Sequence, residues 1–371
     1  MPIDADVAIV GAGPAGSTLA IMLKQAGVRT IVLDRARFPR DKPCGEGLMP
    51  AGVEVLEGIG VSLARFPALV GVTYRVPVAG NATGEFRDGR TGRGVRRLAF
   101  DAVLAERAAV RSGVDVTGMT RRDGHTLLET SGGQIAARFV VGADGIHSRV
   151  ARWMGWSRPP RAPYRYALAG HVDAPVHCFD RVVVTLAGGV EVYAAPTSSD
   201  ELLVAVLGSR AGLRRDGETA RAAYARHVQT AHPELSPPRD VRGAGPFWVR
   251  PSAVAGHGVF LLGDAAGFLD PLTGDGMSDA LTGAQQLAHL IASEAPAPEA
   301  AYARWEKKQW RRRVFVNKLA LTLTGSSALA RRALRGLQRS PATLNRLLEV
   351  NDGSVGLSSL TLRDWSALVG V

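Results

Sequence analysis

The stretch Asp6-Val7-Ala8-Ile9-Val10-Gly11-Ala12-Gly13-Pro14-Ala15-Gly16, read on to Leu33-Asp34, decides the fold. Asp6 to Val10 is a short apolar run stopped by Gly11, the pattern of a buried strand. Pro14 to Gln25 reads as a helix, with proline in its first turn and Gly27 just past its end. Thr30 to Leu33 is a second buried strand, closed by Asp34. Strand, helix and strand within about 30 residues make a βαβ unit. Gly11 permits the tight turn, Gly13 lets backbone approach a pyrophosphate, and Gly16 lets helix pack on strand. The helix start at Pro14 and Ala15 offers unpaired N–H groups and a positive dipole end to phosphates. Asp34 stands 23 residues after Gly11, where a carboxylate accepts from ribose hydroxyls; Arg35 beside it is a further cofactor candidate. This is a dinucleotide site.

Two later turns repeat the strand-then-acid arrangement. Phe139 to Val141 runs into Gly142-Ala143-Asp144-Gly145, and Val259 to Leu262 runs into Gly263-Asp264-Ala265-Ala266-Gly267. A dehydrogenase that binds only NAD does not need both, whereas FAD carries a hydroxylated ribityl chain that wants such partners. After Asp264 comes Asp270-Pro271-Leu272-Thr273-Gly274-Asp275-Gly276-Met277, opening a helix over 276–291. Its amino end suits the pyrimidine edge of a flavin, where it stabilises the negative charge of the reduced ring. FAD is therefore the expected cofactor, with Gly263, Asp264, Pro271, Gly274, Gly276 and Met277 among its contacts. Phe100 to Arg111 reads as an amphipathic helix stopped by Gly113, with a short strand over 114–116. Residues 71–96 and 161–244 alternate polar and apolar with Pro and Gly punctuation, the pattern of antiparallel strands. The fold expected is α/β: a Rossmann-like FAD-binding domain of the glutathione reductase type, from 1–70, 97–160 and 245–295. An antiparallel β-sheet substrate domain, 71–96 and 161–244, interrupts it, and a basic C-terminal helical region, 296–371, follows.

With 371 residues, 46% hydrophobic and 21% charged, the chain is globular and long enough for two well-buried cores. Apolar runs such as Leu202 to Leu207 fall far short of the roughly 18 residues of a membrane span. The N-terminus shows no signal-peptide pattern, and Cys44 and Cys178 make no disulfide framework, so a cytoplasmic protein is expected. Eight scattered histidines show no metal-ligand spacing, so no metal is expected; His147, beside the Asp144 turn, reads as structural. Phe247-Trp248 either lines a substrate pocket or packs between domains. Nearly all of the net charge of +11 sits between Arg304 and Arg339, where eleven Lys or Arg face one acid, Glu306. This run is a solvated helix face, or a contact over 304–339 for an anionic membrane or an acidic carrier protein. Nucleic acid is not an expected partner, because no recognition module accompanies the charge.

In order and spacing the three motifs resemble the FAD-dependent monooxygenase superfamily that includes para-hydroxybenzoate hydroxylase. Phe38-Pro39-Arg40-Asp41-Lys42-Pro43-Cys44-Gly45-Glu46-Gly47 and Asp270 to Gly276 are similar to its geranylgeranyl reductase branch. The resemblance implies FAD contacts from Gly11, Gly13, Gly16, Asp34, Arg97, Asp264 and Gly276, with Arg40 toward the pyrophosphate. It also implies NAD(P)H as electron donor and a role for Asp144 in a turn that meets flavin and nicotinamide. Cys44 and Gly45 fall where the family's chain passes the flavin ring. Cys44 there tunes the flavin or meets substrate with Glu46 as proton donor; alternatively Cys44 packs and Glu46 is an ion-pair partner. Two departures stand out. Ala151 occupies the place of an arginine in the family's central turn, after Ser148. Val192-Tyr193-Ala194-Ala195-Pro196 keeps the Tyr and Pro of the reductases' Tyr-x-Trp-x-Phe-Pro but lacks the Trp, and the halogenases' Trp-x-Trp-x-Ile-Pro is missing. The favoured activity is an NAD(P)H-dependent monooxygenase that adds oxygen at flavin C4a and passes it to a hydrophobic small molecule, free or carrier-bound. The alternative is an ene-reductase that saturates C=C bonds; a third reading is a non-catalytic flavin-binding protein docked on an acidic partner or membrane.

Overall fold

The computed structural model describes residues 3–122, 124–174, 179–187, 189–238 and 240–370. Strand Ala5–Val10 lies inside a parallel sheet, between Thr30–Asp34 and Gly133–Gly142. Val259–Leu261 and Arg111–Ser112 extend the sheet on either side, also in parallel. Val10 is level with both Leu33 and Gly142, so the acid-bearing turns leave one edge of the sheet. Open α/β sheets bind ligands at that carboxyl edge. Side chains alternate across the first strand. Val7 and Ile9 join a core under helices Pro14–Gln25 and Gly276–Ala292, with Leu19, Leu23, Leu281 and Leu287. Ala8 and Val10 join a core on the opposite face, roofed by the hairpin Val116–Arg122 and His125–Thr130. Burial on both faces explains why the strand reads as one continuous apolar run.

A second sheet has seven strands, in the order Arg242–Ala244, Arg165–Asp173, Glu201–Ser209, Val190–Pro196, Val182–Ala187, Gly71–Val76, Gly80–Glu85. All neighbours are antiparallel except Val182–Ala187 beside Gly71–Val76. Val190, Val192 and Ala194 face helix Ala220–Ala231, while Tyr193 and Ala195 face the other way. That helix lies within a range whose sequence reads as strands; its start is set by Thr219, whose hydroxyl accepts the Ala222 N–H. Gly92–Gly94, also read with the substrate sheet, pairs instead with Gly47–Leu48 and Ala68–Leu69. The helix expected over 100–111 spans Arg97–Arg107. Glu46 accepts the Arg97 N–H and starts it early, and pairing of Arg111–Ser112 with Leu33 and Asp34 ends it.

Four helices, Pro298–Thr324, Ser327–Arg339, Pro341–Asp352 and Leu362–Leu368, cover the second sheet. Their apolar side chains join the cores on that sheet. Asn317 and Asn351 donate to the carbonyls of Asp270 (2.9 Å) and Thr273 (2.8 Å). The basic run also divides. Arg312 pairs with Asp279 at 2.6 Å and Arg313 with Glu306 at 2.5 Å, whereas Arg304, Lys307, Lys308 and Arg311 are exposed. Among the described residues no helix is long and apolar enough to cross a membrane. Phe100 is wholly buried and meets Phe66 edge to face at 5.9 Å. Phe100→Ala should cost about 3–5 kcal/mol, read as a lowered midpoint of denaturant unfolding with unchanged slope.

Candidate functional site

The first turn has no room for side chains where the fingerprint has glycine. A Cβ on Gly11, whose φ is +102°, would sit 2.4 Å from the Ala143 carbonyl, and one on Gly16 would sit 2.0 Å from the Gly11 carbonyl. Helix Pro14–Gln25 starts at Gly13 with no side-chain cap and no acid in its first turn, so its amide donors stay free for a ligand. Asp34 holds the turn, accepting the N–H of Ala12 and of Ala36, each at 2.8 Å. Each oxygen retains acceptor capacity for a hydroxyl. Arg40 lies 3.0 Å from Asp101 and 3.7 Å from Asp34, with its guanidinium over the Phe38 ring. Arg35 is exposed.

A cavity of about 400 Å³ opens from this turn toward the antiparallel sheet. Gly13, Pro14, Ala15, Cys44, Gly45, Glu46, Arg97, Gly263, Asp264, Pro271, Gly274, Gly276 and Met277 line it together, as do His147 and Phe247. Gly11, Gly16 and Asp34 shape the turn behind it. Asp144 does not line this cavity: one oxygen accepts the Arg149 N–H at 2.6 Å, and the other is buried without a partner. Trp248, the neighbour of Phe247, belongs to the packed wall. A second helix, Gly276–Ala292, also begins at the cavity without a side-chain cap; Asp275 instead accepts from Thr273 at 2.8 Å. Burial, with Asp279 nearby, raises the Asp275 carboxyl above the ordinary range. Two uncapped helix starts on one cavity, with crowding glycines behind, fit a dinucleotide whose diphosphate and ring both accept hydrogen bonds.

Glu46 organises the far wall. It is 1% exposed and takes a left-handed φ of +56°. Its Oε1 accepts the Arg97 N–H (2.8 Å) and an Arg96 N–H (3.2 Å). Its Oε2 faces His171 Nε2 at 3.0 Å, and His171 Nδ1 is 3.3 Å from Asp240. His171 shares the cavity face of its strand with Ala167 and Ala169, a period-two pattern present in the sequence but not singled out there. Burial alone would lower the His171 pKa, but the Glu46 carboxylate outweighs it and holds it above the usual 6.5. Arg96 opposes this charge and Glu201 supports it. Asp41, His171 and Asp240 gather as a metal site would, yet Arg96 and Arg242 sit 3.0 and 3.7 Å from Asp41 and supply its cations.

Cys44 is a free thiol that accepts the Glu46 N–H at 3.4 Å, and Cys178 lies outside the described residues. Loss of hydration pushes the Cys44 pKa up, only partly opposed by the Arg97 charge, so the thiol keeps its proton. Tyr193 packs against this loop: a Cβ on Gly47 would meet its hydroxyl at 2.4 Å. Arg97 forms a two-point bond to Asp101, both contacts 2.7 Å, with both groups buried. Arg165 bridges Asp270 (2.7 Å) and Glu191 (2.6 Å), tying the loop before Gly276 to the sheet.

Arg97→Ala would leave buried Asp101 with Arg40 as its remaining cation and should destabilise by about 1–3 kcal/mol in denaturant unfolding, with Arg97→Lys intermediate. The His171 pairing follows pH in the opposite sense to a salt-bridged acid. Because its folded pKa is raised, its stabilisation is complete below about pH 6.5 and is lost as pH climbs through the folded value. The Tm deficit of His171→Gln should be present near about pH 6 and close by about pH 9.

Residues 4–68 and 94–315 match the FAD binding domain family. The chain is 30% identical over 325 residues to a menaquinone reductase of Mycobacterium tuberculosis, covering 78% of this chain and 77% of that protein. It is 28% identical over 350 residues to digeranylgeranylglycerophospholipid reductase 1 of Methanococcoides burtonii, covering 86% and 82%. Its fold superposes on a flavoprotein/dehydrogenase of Cytophaga hutchinsonii with a TM-score of 0.80 at 22% identity, over 94% and 92% of the two chains. With the glycine turn, the two helix starts and the match over most of its length, the chain belongs to the FAD binding domain family and is an FAD-dependent oxidoreductase.

Proposed function

We propose that the protein is a flavin-dependent ene-reductase that saturates carbon–carbon double bonds in an isoprenoid or similarly apolar substrate. The observation that carries this reading is a second cavity, of about 130 Å³, behind Tyr193. It shares Gly47, Val184, Tyr193 and Leu272 to Gly274 with the first, and its walls are chiefly apolar, among them Leu69, Val72, Val76, Leu186, Leu319, Leu334 and Leu348. Such a wall takes an apolar tail, and each buried methylene contributes about 0.8 kcal/mol. The names of the menaquinone and digeranylgeranylglycerophospholipid reductases point the same way. The sequence alone favours oxygenation; the apolar cavity, the names of the reductase relatives and a protonated thiol in the wall support reduction.

FAD would be held by the Gly11 to Gly16 turn, Asp34, Arg40 and the start of helix Gly276–Ala292; reduced by NAD(P)H, it supplies the hydride. The remaining needs fall to the chain. Tyr193 separates the polar cavity from the apolar one and directs a tail past Gly47. Cys44 Sγ, protonated because it is poorly hydrated, donates the proton that saturation requires. Glu46, clamped by Arg96, Arg97 and His171, keeps the Cys44 loop in place.

With NAD(P)H and polyprenyl substrates in the absence of oxygen, the product should gain two hydrogens. Cys44→Ala should slow this by about a hundredfold or more while flavin remains bound. Labelled oxygen in the product under air, with no anaerobic product, would overturn the reading in favour of a monooxygenase.

A further inference from the structure

We propose that helices Ser327–Arg339 and Leu362–Leu368 form a docking face for an anionic lipid bilayer. Docking there is independent of which reaction the flavin performs. The first helix is divided lengthwise. Ala330, Ala333, Leu334 and Leu337 are buried against the antiparallel sheet, while Arg331, Arg332, Arg335 and Arg339 are exposed. The helix contains no acid. The second helix is clamped across it: a Cβ on Gly336 would sit 1.7 Å from the Ala367 carbonyl, and Arg332 donates to the Val369 carbonyl.

This clamp sets apolar side chains beside the cations. Leu362 is 86% exposed and Val369 52%, with Trp365 between them on the same side of the helix. Leu329, 45% exposed, lies one turn before Arg332. Between residues 353 and 370 the one acid is Asp364, and it turns inward onto Thr343 (2.8 Å) and Arg346 (2.7 Å). The face is thus cationic with protruding Leu362 and Val369, and Trp365, packed edge to face on Phe315, half-exposed between them.

That combination matches a bilayer better than an acidic protein. Cations meet lipid headgroups, protruding apolar side chains enter the acyl boundary, and tryptophan favours the interface. An acidic carrier would satisfy the arginines but leave Leu362 with nothing to enter. The inner faces of the same two helices, through Ala330, Leu334 and Leu368, line the apolar cavity, so docking sets that cavity directly beneath the lipid.

The test is sedimentation of the intact flavoprotein with vesicles of phosphatidylcholine, with and without one-third phosphatidylglycerol. Wild type should bind the anionic vesicles and not the neutral ones. Arg331→Ala with Arg335→Ala should weaken binding by roughly thirtyfold, since each surface cation contributes about 1 kcal/mol. Leu362→Ser should weaken it by about tenfold through lost apolar insertion, with flavin content and Tm unchanged. No binding to the anionic vesicles, or binding that Leu362→Ser leaves untouched, would overturn the proposal. So would capture of an acidic acyl carrier protein at this face without vesicle binding.

Discussion

A carboxylate buried between two sheets is the constraint to which the rest of the structure answers. Glu46 is withdrawn from water and would be costly there unless every lone pair found a donor. Its donors come from three places: the first turn of helix Arg97–Arg107, the Arg96 side chain, and His171 on the antiparallel sheet. Satisfying one group therefore fixes the distance between the nucleotide-binding turn and the sheet facing it. The cavity between them takes its width from that distance. The left-handed backbone at Glu46 belongs to the same arrangement, because it turns the carboxylate inward while Gly45 and Gly47 lie against Tyr193.

The C-terminal helices obey the same rule from the opposite side. Glu306 is buried and would be stranded without Arg250 and Arg313. Asp279, in the first turn of helix Gly276–Ala292, is paired by Arg312. Part of what reads in the sequence as a surplus of positive charge is thus spent inside the molecule, pairing Glu306 and tying the long C-terminal helix to Asp279 at the start of helix Gly276–Ala292. Only the remainder is surface.

What the sequence made legible, and what it hid, follows from the range of the interactions. The turn from Val10 to Gly16 is set by neighbours along the chain, and helix Pro14–Gln25 has the predicted bounds. The later acid turns were equally plain, since each is a strand end followed by glycine. Helix Ala220–Ala231 was hidden because its apolar side is mostly alanine around the single Tyr224, and packing on Val192 and Val204 settles it. His171 was hidden for another reason: its partner Glu46 is 125 residues away, and no local pattern announces such a pair. Arg312 looked like surface charge for the same cause, its acid Asp279 lying on another helix, while Arg313 turns inward to Glu306 of its own helix as well as toward Asp279.

The parallel pairing of Val182–Ala187 with Gly71–Val76 carries a consequence for how the molecule assembles. Two excursions of the chain, more than a hundred residues apart, lie edge to edge in one sheet. The nucleotide-binding sheet is interrupted in the same way, since Val259–Leu261 completes a layer begun at Ala5. Neither layer closes on a ribosome until most of the chain has emerged, and both are completed nearly together. Contacts of this sequence separation make folding slow, because loop closure precedes the burial that rewards it. The two halves of the site are therefore completed in close succession, at Arg242–Ala244 and at Val259–Leu261.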